Sequence, residues 1–170
     1  MTELPLVRQE HGFQRTKCGC DFCKVYCRHM PGTLDPSDLP RLCPARQDVF
    51  LWAEQHLRAL TDHPYPTLVP ARNDFGHCHW YFAGQCAVHE HAPYSCAFFD
   101  SHMSDAEVNR RVAATIQACR DDATANGLYY RVWQHLRGRG LIGKRGDRMT
   151  LIAEVQRMRR KSQRNQRKPS

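Results

Sequence analysis

The sequence predicts a small, mainly α-helical domain that is stapled by metal-binding cysteines. Three observations lead to this fold class. Eight of the nine cysteines lie within the first 96 residues, which concentrates the potential metal ligands in one part of the chain. Apolar residues recur at helical spacing, mostly in the second half, and only one segment is typical of a β-hairpin. We therefore expect about four helices packed with a short hairpin.

The N-terminal part contains one predicted helix and one predicted hairpin. Residues 46–60 carry apolar side chains at helical spacing on one face, and prolines follow the segment. Residues 78–88 contain two β-prone runs around Ala83-Gly84, which favours a short hairpin. These elements belong to a predicted cysteine-cluster domain over residues 1–100, in which the helix is an insert.

Residues 101–161 are predicted to form a helical extension. Ser104-Asp105-Ala106-Glu107 is a capping box, and it starts a helix that is expected to reach about residue 125. Further helices are expected over 128–137 and from about residue 148 onward. Residues 162–170 are polar and basic, so we expect them to form a disordered tail.

The formal net charge of +8 comes from the C-terminal end of the chain. Ten lysines and arginines lie between Lys144 and Lys168 against two acids, and this difference of eight equals the whole excess. Such a segment could bind phosphate backbones through release of counterions, although basic tails are often only solvated charge. The candidates for contact with nucleic acid are Arg157, Arg159, Arg160, Lys161 and Arg164.

No segment of the sequence is typical of a membrane or secreted protein. The N-terminus lacks an apolar signal-peptide core, and no apolar run approaches the roughly 20 residues that a membrane span needs. We therefore expect a cytoplasmic protein without membrane contact. In a reducing compartment, closely spaced cysteines are more often metal ligands than disulfides, and an odd number of cysteines also argues against complete pairing.

Two groups of cysteines have the spacing of metal ligands. The first is a Cys-x2-Cys-x3-Cys loop, and the second is a Cys-x7-Cys-x9-Cys segment that includes the predicted hairpin. The six predicted ligands are Cys20, Cys23, Cys27, Cys78, Cys86 and Cys96. Thiolates bind zinc and the iron of iron–sulfur clusters, each of which takes four of them. Either two of the six are spare, or the protein holds more than one metal.

Further side chains near these groups are candidate ligands. Cys18 lies two residues before the first loop, and His79 and His89 lie in the second segment; neutral imidazole can replace a thiolate on zinc or iron. Cys119 falls on the apolar stripe of a predicted helix, and we assign it to the core. Cys43, which precedes a proline in a loop, suits a core position and a spare ligand equally well.

With these motifs, residues 16–100 resemble the YkgJ-type zinc- or iron-chelating cysteine-cluster family. The matching stretches are Cys20 to Cys27, Pro36-Ser37-Asp38-Leu39, Cys78-His79-Trp80, Gly84 to Glu90 and Pro93 to Phe98. The resemblance implies a zinc or iron site built from the cysteines. A related cluster in flagellin lysine methylases also gives a distant hint of methyl transfer.

The chain departs from the family pattern in three places. The family's first group usually ends in adjacent cysteines, whereas Cys23 and Cys27 are four residues apart. Ala92 and Ala97 occupy positions where the family usually has arginine. The geometry of the first group and the identity of the metal therefore stay open.

Three classes of function remain for such a protein. It could be a structural or accessory module whose metal holds the fold and whose surface recognises a protein partner. It could be an iron–sulfur redox factor, or a subunit of an enzyme that modifies another protein. The sequence contains no recognisable catalytic arrangement of residues, so an enzyme or enzyme subunit ranks last among the three classes. A zinc-stabilised protein that binds nucleic acid through its basic C-terminus is a further alternative.

Overall fold

Residues 8–16, 18–144 and 148–166 are described by a computed structural model of the chain. These residues form seven α-helices, one short 3-10 turn at His89–His91 and three antiparallel two-stranded hairpins. The helices are α1 (Asp21–His29), α2 (Asp38–Leu42), α3 (Val49–His56), α4 (Tyr94–Ala97), α5 (Asp105–Thr124), α6 (Leu128–Gly138) and α7 (Arg148–Gln166). The strands are β1 (Gln9–Glu10), β2 (Phe13–Gln14), β3 (Leu57–Leu60), β4 (Thr67–Pro70), β5 (Tyr81–Phe82) and β6 (Gln85–Cys86). The chain is mainly α-helical, as the sequence predicts.

The helix predicted over residues 46–60 is only partly correct. α3 begins after Asp48, whose carboxylate accepts hydrogen bonds from the N–H groups of Phe50 and Leu51 at 2.9 and 3.0 Å. It ends at His56, and residues 57–60 instead form β3, which pairs with β4. The helical prediction for residues 57–60 is wrong because strand pairing buries the apolar side chains of this segment more completely, leaving Leu57 0% exposed.

The hairpin predicted over residues 78–88 is present in a shorter form. β5 pairs with β6, with Tyr81 opposite Cys86. Ala83 and Gly84 connect the strands with positive φ angles of 49° and 79°. Two positive φ angles characterise the tight turns that match the twist of paired strands, so the Ala83-Gly84 turn has the geometry that a two-residue hairpin needs.

The sequence did not reveal α1. Cys20 is the residue before its first turn, and its carbonyl accepts from the N–H of Lys24 at 3.1 Å. Cys23 and Cys27 lie four residues apart on this helix, so their side chains share one face. A helix thus replaces the expected cysteine loop.

The C-terminal helices agree with the prediction, apart from where the last one ends. Ser104 caps α5, because its hydroxyl accepts from the N–H of Glu107 at 3.2 Å. α7 continues to Gln166, so the disorder expected from residue 162 is wrong for residues 162–166. Gln163, Arg164 and Gln166 are good helix formers, which favours the extension. Residues 167–170 lie outside the described residues.

One hydrophobic core contains side chains from both the predicted 1–100 domain and the helical extension. Its buried members include Leu34, Trp52, Leu57, Leu68, Trp80, Cys119, Tyr129, Val132 and Leu136. Cys119 is 1% exposed, which confirms its assignment to the core. Cys78 also belongs to this hydrophobic core, so the core lies next to the second group of cysteines.

α7 lies against α1. Glu154 of α7 forms ion pairs with Arg28 and His29 in the last turn of α1, and Arg159 lies over the ring of Phe22 at 5.8 Å. The C-terminal helix is therefore attached to the helix that carries Cys23 and Cys27. None of the helices in the described ranges combines the length and the apolar character that a membrane span requires.

Candidate metal centre

Six of the nine cysteines line a single cavity of about 480 Å³. They are Cys18, Cys23, Cys27, Cys78, Cys86 and Cys96. Five of the six ligands predicted from the sequence are among them. The sixth, Cys20, lies at the edge of the group, with its Sγ 3.6 Å from the Sγ of Cys23. The structure therefore brings together thiols that are up to 78 positions apart, from Cys18 to Cys96.

Local hydrogen bonds hold the cavity-lining segments in place. The N–H of Cys78 donates to the carbonyl of Arg28 at 3.1 Å, which joins the segment after β4 to the end of α1. The N–H of Gly32 donates to the Sγ of Cys96 at 3.2 Å. Backbone N–H groups of this kind stabilise the negative charge of a thiolate, so the surroundings of Cys96 suit a metal-bound sulfur.

Asp38 positions the helix that carries Cys96. Its fully buried carboxylate accepts from the N–H of Tyr94, at the start of α4, at 2.8 Å. The same oxygen accepts from the N–H of Asp35 at 2.7 Å. This contact gives the Pro36-Ser37-Asp38-Leu39 motif a physical role, because its aspartate joins the turn before α2 to α4.

Cys18, Cys20 and His102 form the tightest group of potential ligands in the described part of the chain. One ligand atom from each lies within 4.8 Å of the other two. Ligands on one tetrahedral zinc ion are about 3.3–3.8 Å apart, given bonds of about 2.0–2.3 Å, so the three side chains must move at most about 1 Å closer together to share an ion. Cys23 extends the group, because its Sγ is 3.6 Å from that of Cys20. We call Cys18, Cys20, Cys23 and His102 the outer group.

Ser101 lies between two thiols of the outer group. Its hydroxyl is 3.5 Å from the Sγ of Cys20 and 3.4 Å from the Sγ of Cys23. The Ser101 hydroxyl and the Cys23 N–H lower the pKa of Cys20 to about 6. The Cys20 N–H lowers the pKa of Cys18, but hydrogen bonds to the Cys23 and Cys20 side chains outweigh it and raise that pKa to about 11. One thiolate is thus ready for a metal at neutral pH.

The other four thiols that line the cavity form a second, less exposed group. We call Cys27, Cys78, Cys86 and Cys96 the inner group. Burial raises the pKa of each of these thiols, that of Cys78 to about 11 and that of Cys96 well above its usual value. Electrostatic repulsion between the thiolates also raises the pKa values, and it acts in each of the six pairs within the group. Four such thiols would ionise together only against a cation, and a metal ion supplies that charge.

The inner sulfurs are spread more widely than the outer ligands. Among the described residues, the inner group does not provide three ligand atoms that all lie within 4.8 Å of one another. The sulfurs around a single tetrahedral zinc ion are about 3.8 Å apart, given a Zn–S bond of about 2.3 Å. The two groups therefore differ in exposure, in ligand type and in spacing.

The histidines proposed from the sequence occupy different surroundings. His89 lines the cavity, and its carbonyl accepts from Arg15. His79 lies instead against His56 and Trp80, with its Nε2 3.4 Å from the Nδ1 of His56. Sequence reasoning missed His102, which lies just beyond the segment that resembles the family. Its position six residues after Cys96 does not fit a known ligand spacing. His102 becomes a candidate only because α4 and the following turn bring it close to Cys18 and Cys20.

The basic residues of α7 divide between two faces of the helix. Arg157, Arg160, Lys161 and Arg164 lie together on one exposed side of α7, because they are spaced three and four residues apart. Arg159 points elsewhere and lies over Phe22. Four of the five candidates for nucleic-acid contact therefore share a surface.

No family model, curated protein or solved structure matches the chain. The resemblance of residues 16–100 to the YkgJ-type family accordingly stays a prediction that depends on the motifs alone. What the geometry establishes is coarser: the chain has a cysteine and histidine cluster that is close enough to hold a metal ion.

Proposed function

We propose that this chain is a cytoplasmic metal-binding protein of the cysteine-cluster type, which holds zinc or an iron–sulfur centre and acts as a structural or accessory module for a protein partner. One observation carries the proposal. Thiols from α1, from the segment after β4, from β6 and from α4 line the same cavity. Packing alone does not require so many cysteines at one place, whereas a metal site does.

The surroundings of these thiols support a bound metal. The Gly32 N–H partly offsets the burial that raises the pKa of Cys96, and the Ser101 hydroxyl and the Cys23 N–H lower the pKa of Cys20. Thiolate is the form that binds metal ions. A bound metal would link α1 to three later segments and would thereby contribute directly to the folding free energy.

An iron–sulfur redox or accessory role is the second candidate, and one observation favours it. The four inner sulfurs are spread more widely than ligands of a single zinc ion, which suits a cluster of several metal atoms. Under this alternative, the protein would carry electrons or support the modification of another protein.

Nucleic-acid binding is a weaker alternative that depends on α7. The side of α7 that carries Arg157, Arg160, Lys161 and Arg164 is exposed and positively charged, which suits contacts with phosphates. Neutralising these four residues together should abolish any binding to mixed-sequence DNA or RNA in low salt. The absence of binding by the unaltered protein in low salt would reject this alternative.

The metal proposal is tested by purifying the protein without oxygen and measuring zinc, iron and acid-labile sulfide per chain. A brown protein that absorbs near 400 nm and contains iron and sulfide would support the iron–sulfur form. A colourless protein with stoichiometric zinc would support the structural form. A protein that contains no metal, and takes up none on reconstitution with zinc or with iron and sulfide, would reject the proposal.

A further inference from the structure

We propose that the cysteines hold two separate metal centres, one on the outer group and one on the inner group. This inference rests on the proposed metal-binding function and adds the number of centres and a histidine ligand. The outer centre is held by Cys18, Cys20, Cys23 and His102. The inner centre is held by Cys27, Cys78, Cys86 and Cys96.

The number of ligands fits two centres. A single zinc ion or a single cubane cluster takes four protein ligands, whereas the cavity region provides seven thiols and the imidazoles of His102 and His89. Division into two sets of four uses all seven thiols and His102, and it leaves only His89 without a metal. It also assigns a role to Cys18 and Cys20, which a single centre on the inner group would leave without one.

Within the shared cavity region, the outer ligands lie closer together than the inner sulfurs do. The Sγ atoms of Cys20 and Cys23 are 3.6 Å apart, close to the separation of about 3.8 Å between sulfurs on one tetrahedral zinc ion. Cys23 and Cys27 are four residues apart on α1, and such neighbours have Cβ atoms roughly 5–6 Å apart. α1 therefore places Cys23 and Cys27 on one face of the shared cavity, far enough apart to bind different metal atoms.

The two environments also differ chemically. His102 is exposed and the outer cysteines are partly exposed, so the outer centre is a mixed thiolate and imidazole site near solvent. The inner centre has only sulfur ligands, with Cys78 6% exposed and part of the hydrophobic core. We expect the outer metal to exchange with solvent and chelators faster than the inner one, because exposure controls access to the ligands.

The test compares the metal content of the unaltered protein with that of variants in each group. His102→Ala and Cys20→Ser should each lose the outer metal and retain the inner one, whereas Cys86→Ser should lose the inner one. His102→Cys should keep both, because a thiolate replaces the imidazole. His91→Ala changes an exposed histidine that does not line the cavity, and it should also keep both.

Cobalt substitution gives a second measurement. The outer centre should bind Co²⁺ as a tetrahedral site with three sulfurs and one nitrogen, so its sulfur-to-cobalt bands should disappear in His102→Ala and reappear in His102→Cys. A single centre in the wild-type protein would overturn the inference, and so would full metal content in His102→Ala. Either result would leave the proposed function intact. Wild-type protein without any metal would instead reject the proposed function itself.

Discussion

Gly32 lies directly against Cys96, with its N–H donating to the Cys96 Sγ at 3.2 Å. A Cβ atom on residue 32 would lie 2.7 Å from that sulfur and 2.6 Å from the carbonyl carbon of Ser95. No side chain fits there without moving α4. The need for glycine at this position is therefore one of space, and it concerns a predicted metal ligand directly.

Gly32→Ala should displace Cys96 and weaken metal binding by the inner group. We expect a loss of about 1–3 kcal/mol in the free energy of unfolding, as for other overpacked sites, together with less metal per chain. Gly138→Ala is the matched control, because a Cβ on Gly138 meets nothing within 4 Å. Urea denaturation and metal analysis of both variants test the prediction, and equal metal content in the two would contradict it.

Tyr129→Phe should destabilise the fold without changing its metal content. The buried Tyr129 hydroxyl donates to the carbonyl of Leu34 and accepts from the N–H of Leu68, both at 2.8 Å. Its removal leaves both backbone groups without this partner, at a cost of about 1–3 kcal/mol. The partly buried neighbouring Tyr130→Phe should cost less. Chemical denaturation at saturating metal compares the unfolding free energies of the two variants. Similar values would show that the Tyr129 hydroxyl does not stabilise the fold.

Cys119→Ala should leave the metal content unchanged. Cys119 is 1% exposed, and burial raises its pKa to about 12, so its thiol is protonated and inaccessible in the folded protein. Loss of its sulfur from the core should cost on the order of 1 kcal/mol. Counting reactive thiols before and after denaturation should show that Cys119 reacts only after unfolding. Rapid labelling of Cys119 in the native protein would contradict its core position.

His56 should make the protein less stable as the pH falls. Burial lowers the pKa of His56, and burial together with His56 lowers the pKa of His79 to about 4. The unfolded chain therefore takes up protons near pH 6.5 that the folded chain resists, and stability present above that pH is lost as it falls towards 4. His56→Asn should show a smaller decrease in urea midpoint between pH 7 and 5 than the unaltered protein. An identical decrease would show that His56 does not contribute.

Features set by neighbouring residues could be predicted from the sequence. Ser104 caps α5 through an N–H three residues away, and Ala83 and Gly84 form a turn between adjacent strands. Cys119 follows the helical period of α5 into the core. In these cases, the residues that decide the structure lie within a few positions of one another.

Features set by distant contacts could not be predicted in the same way. Leu57 and Leu60 fit the period of a helix, but pairing with β4 makes them part of a strand. His102 becomes a candidate ligand only because the chain after α4 returns to Cys18 and Cys20. The sequence therefore led to the hypothesis that the cysteines bind a metal. It did not reveal that Cys27 lies with Cys78, Cys86 and Cys96, or that His102 lies with Cys18 and Cys20.

The ion pairs of Glu154 with Arg28 and His29 attach α7 to α1, the helix that carries Cys23 and Cys27. Any loss of order in α1 on demetallation would therefore release the anchor of α7. Limited trypsin digestion would then detect loss of metal from the cysteines, because the arginine-rich α7 would be cleaved earlier in chelator-treated protein than in metal-loaded protein.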